Sequence, residues 1–592
     1  MILNRLYELA VREGLLADPA FEEQAVPFVV QVGASGTFLG IDGERPRPPK
    51  KGEARVERKL SIPRPHGSAA SQGFARYFSD TLPRVLSIVF DAKNADKEGR
   101  SRKTFWEQID TAADATNDDA LRAIQDFGRQ PEDGSVVESV RQAVEAKGAT
   151  SAERVTFAYS PDGGPTILDR KSVRDWYATF FRQFTDAKQV DGPVGFCTIT
   201  GRVGPLPTSH AMALSGVPGG LPTGVKIVSF DKPAFQHYGL DGAANAAIGY
   251  EAADGYARGF KWLRGRREHH FVVGGAGGTL FLFWTRQPVD LGDMTALGQA
   301  DPDQVKQLLE GTGAGKDRAS VEDANDFYLL AVSGNSARVV VRDYLERPLG
   351  QVRENIRRWF ADLRIADTSK ERQGQPNAAF PLWLLANATA LEADRVAPDT
   401  HTRLVQAALT GGSLPDSLMI AAVGRLRAEG NDAFRTARMA LIKLCLTRKG
   451  VYVTETLNAD ERHPAYVYGR LLEVFAQIQY AALGDVNANV VDKFYGTFSA
   501  APAMVFGRLV ANAQNHLRKI RGEKPGTAVA LEQRLTEIRQ LLTATPPPPQ
   551  FSLQDQGRFA LGYYHEKAKR FEQIAERKAE KTAKAKADNK TE

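Results

Sequence analysis

Four side chains that can each move a proton stand together near the end of the chain. They are Tyr563, Tyr564, His565 and Glu566, in "FSLQDQGRFALGYYHEKAKRFEQ" (551–573). Phenol, imidazole and carboxylate side by side could serve acid–base chemistry. Their setting argues for packing. Ser552 followed by Asp555 is a capping-box pair, so a helix begins at Leu553. Phe559 with Tyr563, and Tyr564 with Ala568 and Phe571, recur at helical spacing and form an apolar stripe. Gly557 and Gly562 weaken a helix and suit places where another backbone comes close. The pattern predicts a packed helix in a bundle or interface.

The other reactive groups fare similarly. "EGTGAGKD" (310–317) imitates a phosphate loop, but Glu310 replaces its first glycine and Asp317 its Mg²⁺-binding hydroxyl. The glycines at 274–278 lead into a strand, whereas a dinucleotide site needs a helix N-terminus there. The nine histidines are scattered, and none precedes an aspartate or sits in H-E-x-x-H. His269 and His270 would face opposite sides of a strand. Cys197 and His210 could pair as thiolate and base, but Gly201, Gly204 and Pro205 intervene and no third partner is evident. Two cysteines cannot build a disulfide framework or a cysteine-rich zinc site. The sequence therefore predicts no enzyme, no cofactor and no metal.

The elements around these residues fall into two kinds. Residues 21–45 read as strand–turn–strand, and 44–57 as a Pro- and charge-rich arm. Residues 76–90 read as buried or strand-like, 104–127 as a helix, and 153–169 as a hairpin around Pro-Asp-Gly-Gly. "GVKIVSF" and "HHFVVGGAGGTLFLFWTR" read as buried strands, 288–320 as a mobile insertion, and 327–346 as a hairpin. Beyond about residue 352 helical patterns dominate, with the last 15 residues fraying. The fold class is α+β. A β-rich mixed body (1–350) precedes a helical connecting region (351–460) and an all-α bundle (461–592). No apolar run is long enough to span a membrane, and the amphipathic N-terminus is unlike a signal peptide, so a cytoplasmic setting is expected. The chain's net charge is +6, and residues 504–592 hold 17 Lys/Arg against 10 Asp/Glu, leaving the first 503 residues at −1. A basic end on a near-neutral body suggests a polyanionic partner.

Several separated stretches resemble one family, the large subunit of type I-C CRISPR surveillance complexes (Cascade). "FSLQDQGRFALGYYHEK" is similar to its near-terminal signature. "HPAYVYGRLLEVFAQIQ" (463–479) and "VNANVVDKFYGTFSAAPAMVFGRLVANAQNHLRKI" (486–520) resemble the preceding helices, and "FYLLAVSGNSARVVVRDYLE" its central hairpin. "CTITGRVGPLPTSH", the 224–263 segment, "LFLFWTR" and the N-terminal "PAFEEQAVPFVVQV…GTFLGI" follow in the family's order. The family's Pro-Phe-aromatic-Cys-Asp-Asn segment is altered here to "SQGFARYFSDTLP", which keeps Asp80 and places Thr81 where Asn is usual.

The resemblance implies a non-catalytic subunit whose guide RNA reads the target by pairing. The protein reads a short flanking motif (PAM) on the duplex and helps open it. Implied partners are the crRNA, target double-stranded DNA, the backbone, crRNA-processing and small subunits, and a recruited helicase–nuclease. The 59–86 region, with Lys59, Arg64, His66, Ser68 and Arg76, is the candidate duplex reader, because such side chains can meet base edges. Arg264, Arg266 and Arg267 form a second candidate patch. His516, Arg518, Lys519, Arg521, Lys567, Lys569 and Arg570 are candidates for backbone contacts. The family also makes a free small subunit by internal initiation. Met504, the only Met beyond residue 440, would give 89 residues and lose the "YGRLLEVFAQIQ" helix, so a non-AUG start near 455–470, such as Val467, is expected. A nuclease with a dispersed metal site and a general RNA-binding scaffold remain the alternatives.

Overall fold

The computed structural model describes residues 2–588 except 17, 19, 46–57, 65–74, 87, 89, 91–92, 131–133, 164, 187–193, 208, 211–212, 231, 241, 275–277, 311–323, 370, 430–434 and 543–545. The packing forms two compact units. One comprises Met1–Ser215 and Thr223–Trp262, the other Gly216–Pro222 and Leu263–Glu592.

The first unit begins with α1 (Ile2–Arg12), β1 (Phe21–Ala25), β2 (Phe28–Val32), β3 (Phe38–Asp42), β4 (Lys59–Pro63) and β5 (Asp80–Thr81). Next come α2 (Leu82–Val85), α3 (Ala95–Thr116), α4 (Asp119–Gly128), α5 (Ser135–Ala146), β6 (Arg154–Tyr159) and α6 (Lys171–Asp186). The hairpin of β7 (Val194–Phe196) and β8 (Val203–Pro205), then α7 (Tyr250–Arg264), end this series. A four-stranded sheet has the order β3-β2-β6-β5, with β2 and β6 parallel, while β1 pairs with β4.

The strand–turn–strand expected at 21–45 is β2 and β3, preceded by the further strand β1. The helix expected over 104–127 is two helices. Asn117 turns left-handed (φ 52°) to end α3, and Asp118 caps α4 by accepting from Ala120 N at 2.9 Å and Leu121 N at 3.3 Å. The stripe of Phe105, Ile109, Ala112, Leu121, Ile124 and Phe127 is buried as expected. The hairpin at 153–169 does not form. β2 runs along one edge of β6, β5 takes only Arg154 and Val155 on the other, and the return segment is reduced to one antiparallel bridge, Thr166 to Ala158, between two short 3-10 turns. "GVKIVSF" is likewise irregular, with one bridge between Leu214 and Val225. Part of the 44–57 arm lies outside the described residues.

The second unit contains an antiparallel sheet ordered β12-β11-β10-β9, built from β9 (His270–Val273), β10 (Thr279–Thr285), β11 (Asp326–Asn335) and β12 (Arg338–Pro348). The expected insertion at 288–320 carries α8 (Gly292–Gln299) and α9 (Pro302–Glu310). Met294, Leu297 and Val305 draw these helices into the core, and 311–323 lies outside the described residues. Then follow α10 (Leu349–Leu363), α11 (Leu382–Asn387), α12 (Thr400–Thr410), α13 (Asp416–Glu429) and α14 (Thr436–Thr447). The last helices are α15 (Pro464–Leu483), α16 (Val490–Phe498), α17 (Pro502–Glu523), α18 (Pro525–Arg539) and α19 (Leu553–Asp588). Residues 578–588 of the Lys/Ala/Glu-rich end continue α19 instead of fraying, since those residue types are strong helix formers, and 589–592 lie outside the described residues.

One hydrophobic core runs from Val273 through the β10–β11 pair to Tyr564. The hairpin at 326–348 therefore packs with the helices that follow it. This division falls at Trp262 and Leu263, whereas composition changes near residue 350. Among the described residues no helix is long and apolar enough to cross a membrane.

Candidate nucleic-acid interface

The Tyr-Tyr-His-Glu run is fully committed to packing. Ser552 and Asp555 form the expected reciprocal cap, with Asp555 N donating to Ser552 Oγ at 3.2 Å and Ser552 N to Asp555 Oδ2 at 3.3 Å. Tyr563 is hydrogen-bonded to Glu473 on α15. Tyr564 Oη donates to Ala366 O at 2.9 Å and lies 2.9 Å from Thr436 Oγ1. His565 Nδ1 meets Tyr466 Oη at 2.9 Å. Complete burial holds the imidazole neutral, with its pKa pushed down to about 3. Glu566 accepts from Arg470 at 3.0 Å and from Arg534 at 2.7 Å. The two glycines of α19 differ in what they meet. A Cβ on Gly562 would stand 2.1 Å from Tyr466 O, whereas one on Gly557 would strike the side chain of Met419. Gly469 on α15 returns the close approach, since its Cβ would lie 2.0 Å from Phe559 O. Helices α15 and α19 thus cross backbone to backbone.

The other paired groups are equally engaged. His210 is buried with Nδ1 2.7 Å from Tyr256 Oη, and burial pushes its pKa down to about 4. Cys197 is buried in a turn. Burial opposes ionisation, but hydrogen bonds from Thr200 and from the Gly249 and Ile199 N–H groups hold the thiol below its ordinary value. Among the described residues no three His, Cys, Asp or Glu side chains gather closely enough to hold a metal ion.

The candidate duplex reader is divided by burial. Lys59 is exposed at the start of β4. Arg64 points inward. It is 5% exposed, paired with Asp254, 3.7 Å from Glu22, and donates to Phe21 O at 3.3 Å. Arg76 is half-buried against Glu22. His66 and Ser68 lie outside the described residues. Both stems of 65–74 are anchored: Arg64 N donates to Ala20 O at 2.7 Å, and Ala75 O accepts from Gln108 Nε2 at 3.1 Å.

Asp80 organises the second stem. Its carboxylate accepts from Arg76 N at 2.8 Å and Thr81 N at 2.7 Å, with Arg84 at 3.6 Å and Arg154 at 3.7 Å. Beside it Phe78 is held left-handed (φ 60°) within an aromatic cluster with Tyr77, Trp176 and Tyr177. Arg84 and Arg154 were missed in the sequence. The i,i+4 spacing of Asp80 and Arg84 was a signal for the first, while Arg154 arrives by the β5–β6 pairing, which leaves no local trace.

In the second patch Arg264 is tied down: its Nε donates to Gly216 O at 3.2 Å and Nη1 lies 2.9 Å from His270 Nε2. Arg266 and Arg267 are exposed. In the bundle, Arg518, Lys519 and Arg521 are exposed on α17 and His516 is half-buried. Arg508, which sequence reading passed over, is exposed two to three turns earlier on that helix. Arg521 reaches Glu532 at 2.6 Å. Lys567 and Arg570 line a cleft of about 410 Å³ with Glu473 and Tyr480, and Arg570 is 2.9 Å from the buried Glu473 carboxylate. Lys569 pairs with Glu572 at 2.8 Å. Arg508, Arg518 and Lys519 of α17 thus offer cations to solvent, whereas Arg521 and most of the α19 cations offset carboxylates.

The family model described as CRISPR-associated protein (Cas_Csd1) matches residues 3–571. The chain belongs to that family and is a CRISPR-associated protein. A comparison with curated proteins gives no match.

Proposed function

We propose that the chain is the non-catalytic large subunit of a type I-C RNA-guided surveillance complex. It binds the guide RNA and its neighbouring subunits, recognises a short motif in duplex DNA, helps open the target and recruits a separate helicase–nuclease. Family membership over nearly the whole chain is the observation that carries this reading. The exposed cations of α17 support a path for a nucleic-acid backbone, since phosphate contacts supply most sequence-independent affinity. The anchored stems of 65–74, with exposed Lys59 and half-buried Arg76 nearby, support duplex reading from that region.

Co-expression with the neighbouring genes tests the reading. The chain is expected to co-purify with repeat-derived RNA and to give no cleavage of DNA with divalent metals. Binding to unrelated RNA as tight as to repeat-derived RNA would favour a general scaffold. Metal-dependent cleavage lost on replacing one carboxylate or histidine would make it a nuclease. Lys59→Ala with Arg76→Ala is expected to weaken binding of motif-bearing duplex more than binding of a bare complementary strand, by roughly 1–3 kcal/mol for one lost base contact.

A further inference from the structure

The two stems of 65–74 belong to one ionic network within the first unit. Arg64 at the first stem pairs with Asp254 of α7, and Arg76 at the second pairs with Glu22. Asp80 then faces both Arg84 at 3.6 Å and Arg154 at 3.7 Å. Its oxygens already accept from the N–H groups of Arg76 and Thr81, and at those separations neither guanidinium hydrogen-bonds it. Arg154 Nη1 is buried with no hydrogen-bond partner among the described residues. Burial, then the neighbouring Arg76 cation, outweigh Asp80 and Glu22 and hold the Arg154 pKa below its ordinary value.

The other end of the network has the same imbalance. Asp254, Arg258 and Lys261 stand at i, i+4 and i+7 on α7, along one face of the helix. Asp254 is matched by Arg64. Lys261 lies within electrostatic reach of Lys59, Arg258 and one further carboxylate, Glu23. Arg258 Nε is buried with no hydrogen-bond partner among the described residues. Lys59 and Lys261 are exposed, and the Arg84 and Arg154 side chains are 33% and 21% exposed. The network is therefore short of one carboxylate at the Asp80 end and of two at the α7 end. The excess is local, because the first 503 residues as a whole stand at −1.

We propose that Arg84 and Arg154 at one end, and Arg258 and Lys261 at the other, hold the phosphodiester backbone of duplex DNA and so fix its register against the reading region. The inference rests on the proposed function. Phosphate contacts position a protein on the duplex and base contacts specify the sequence, so a reader needs cations fixed to its own stems. Here Asp80 binds Arg76 N at the second stem and faces the two guanidiniums, while Asp254 ties α7 to Arg64 at the first. A guanidinium fork with no carboxylate hydrogen-bonded to it is matched by phosphate oxygens. Phosphates carry no sequence, so these four residues add affinity for any duplex alike.

The test uses the assembled complex with its guide RNA and short duplexes with and without the flanking motif, over a range of salt concentrations. Arg84→Gln with Lys261→Gln removes one cation from each end. The slope of log K against log salt should fall in magnitude by about 2, at about 0.9 per phosphate contact. Both duplexes should weaken by the same factor, roughly tenfold or more near 0.1 M salt. Arg84→Lys with Lys261→Arg keeps both charges and should keep the slope, which a packing role would not predict. An unchanged slope for the Gln pair, weakening confined to the motif-bearing duplex, or loss of guide RNA or of a neighbouring subunit in place of duplex affinity would each overturn the proposal. Because the slope is also read on motif-free duplex, a wild-type complex that ignores the motif would overturn the proposed function alone.

Discussion

Burial decides what the most reactive-looking residues do. His565 has a folded-state pKa of about 3 against an ordinary value near 6.5. Below pH 6.5 the unfolded chain takes up a proton that the folded chain refuses. Stability is therefore lost as pH falls from 6.5 towards 3, and the loss at pH 5 is about 2 kcal/mol from this residue. Denaturant midpoints measured at pH 7 and pH 5 are expected to differ less in His565→Gln than in wild type. Arg64 shows the same influence of environment. Replacing it with Ala strands Asp254 near the interior and leaves Glu22 to Arg76, and breaking a buried pair typically costs about 3–5 kcal/mol. A Tm fall for Arg64→Ala, with little change for Lys59→Ala, is expected. Weak DNA binding by an Arg64 variant would then reflect a damaged fold and not a lost base contact.

At the scale of elements, the α15–α19 crossing is set by two glycines. Gly469→Ala and Gly562→Ala each drive a Cβ into backbone, and backbone can give way only by parting the helices. A loss of about 3 kcal/mol or more is expected for either, typical of strong overpacking. Gly507→Ala on α17 meets open space and is expected to gain up to about 1 kcal/mol from helix propensity. Thermal unfolding of the three variants checks the contrast. This crossing was half legible in sequence. Gly562 announced a close approach, but its partner Gly469 lies far away along the chain. Local signals found the cap at Ser552, the strands β2 and β3, and the buried stripe of α3 and α4. They failed at 153–169, where β6 pairs along its length with the distant β2 and the return segment turns into short 3-10 helix after a single bridge. They also failed at 292–310, where a few apolar residues suffice to seat two helices once a core lies beneath them. The inward turn of Arg64 was illegible because its partners, Glu22 and Asp254, come from opposite ends of the first unit.

For the whole molecule, the bundle limits where a free C-terminal polypeptide can begin. A start at Met504 would discard α15, whose Tyr466, Gly469, Arg470 and Glu473 all contact α19. A start at Val467 would still lose Tyr466, the partner of His565, and His463, whose side chain accepts from Ala465 N to cap α15. A fragment that begins between 455 and 463 and runs through α19 is therefore expected in mass spectra of the purified complex. A fully active complex containing only the long chain would refute this.

The late position of α19 also bears on synthesis. Phe559, Tyr563 and Tyr564 are buried in the core of the second unit, and Gly557 lies against Met419, Ile442 and Leu446. The second unit thus has an opening along the seat of this helix until α19 itself leaves the ribosome. Nascent chains paused before residue 553 would present that apolar seat to chaperones, and a stop codon there would take Phe559, Tyr563 and Tyr564 out of the core.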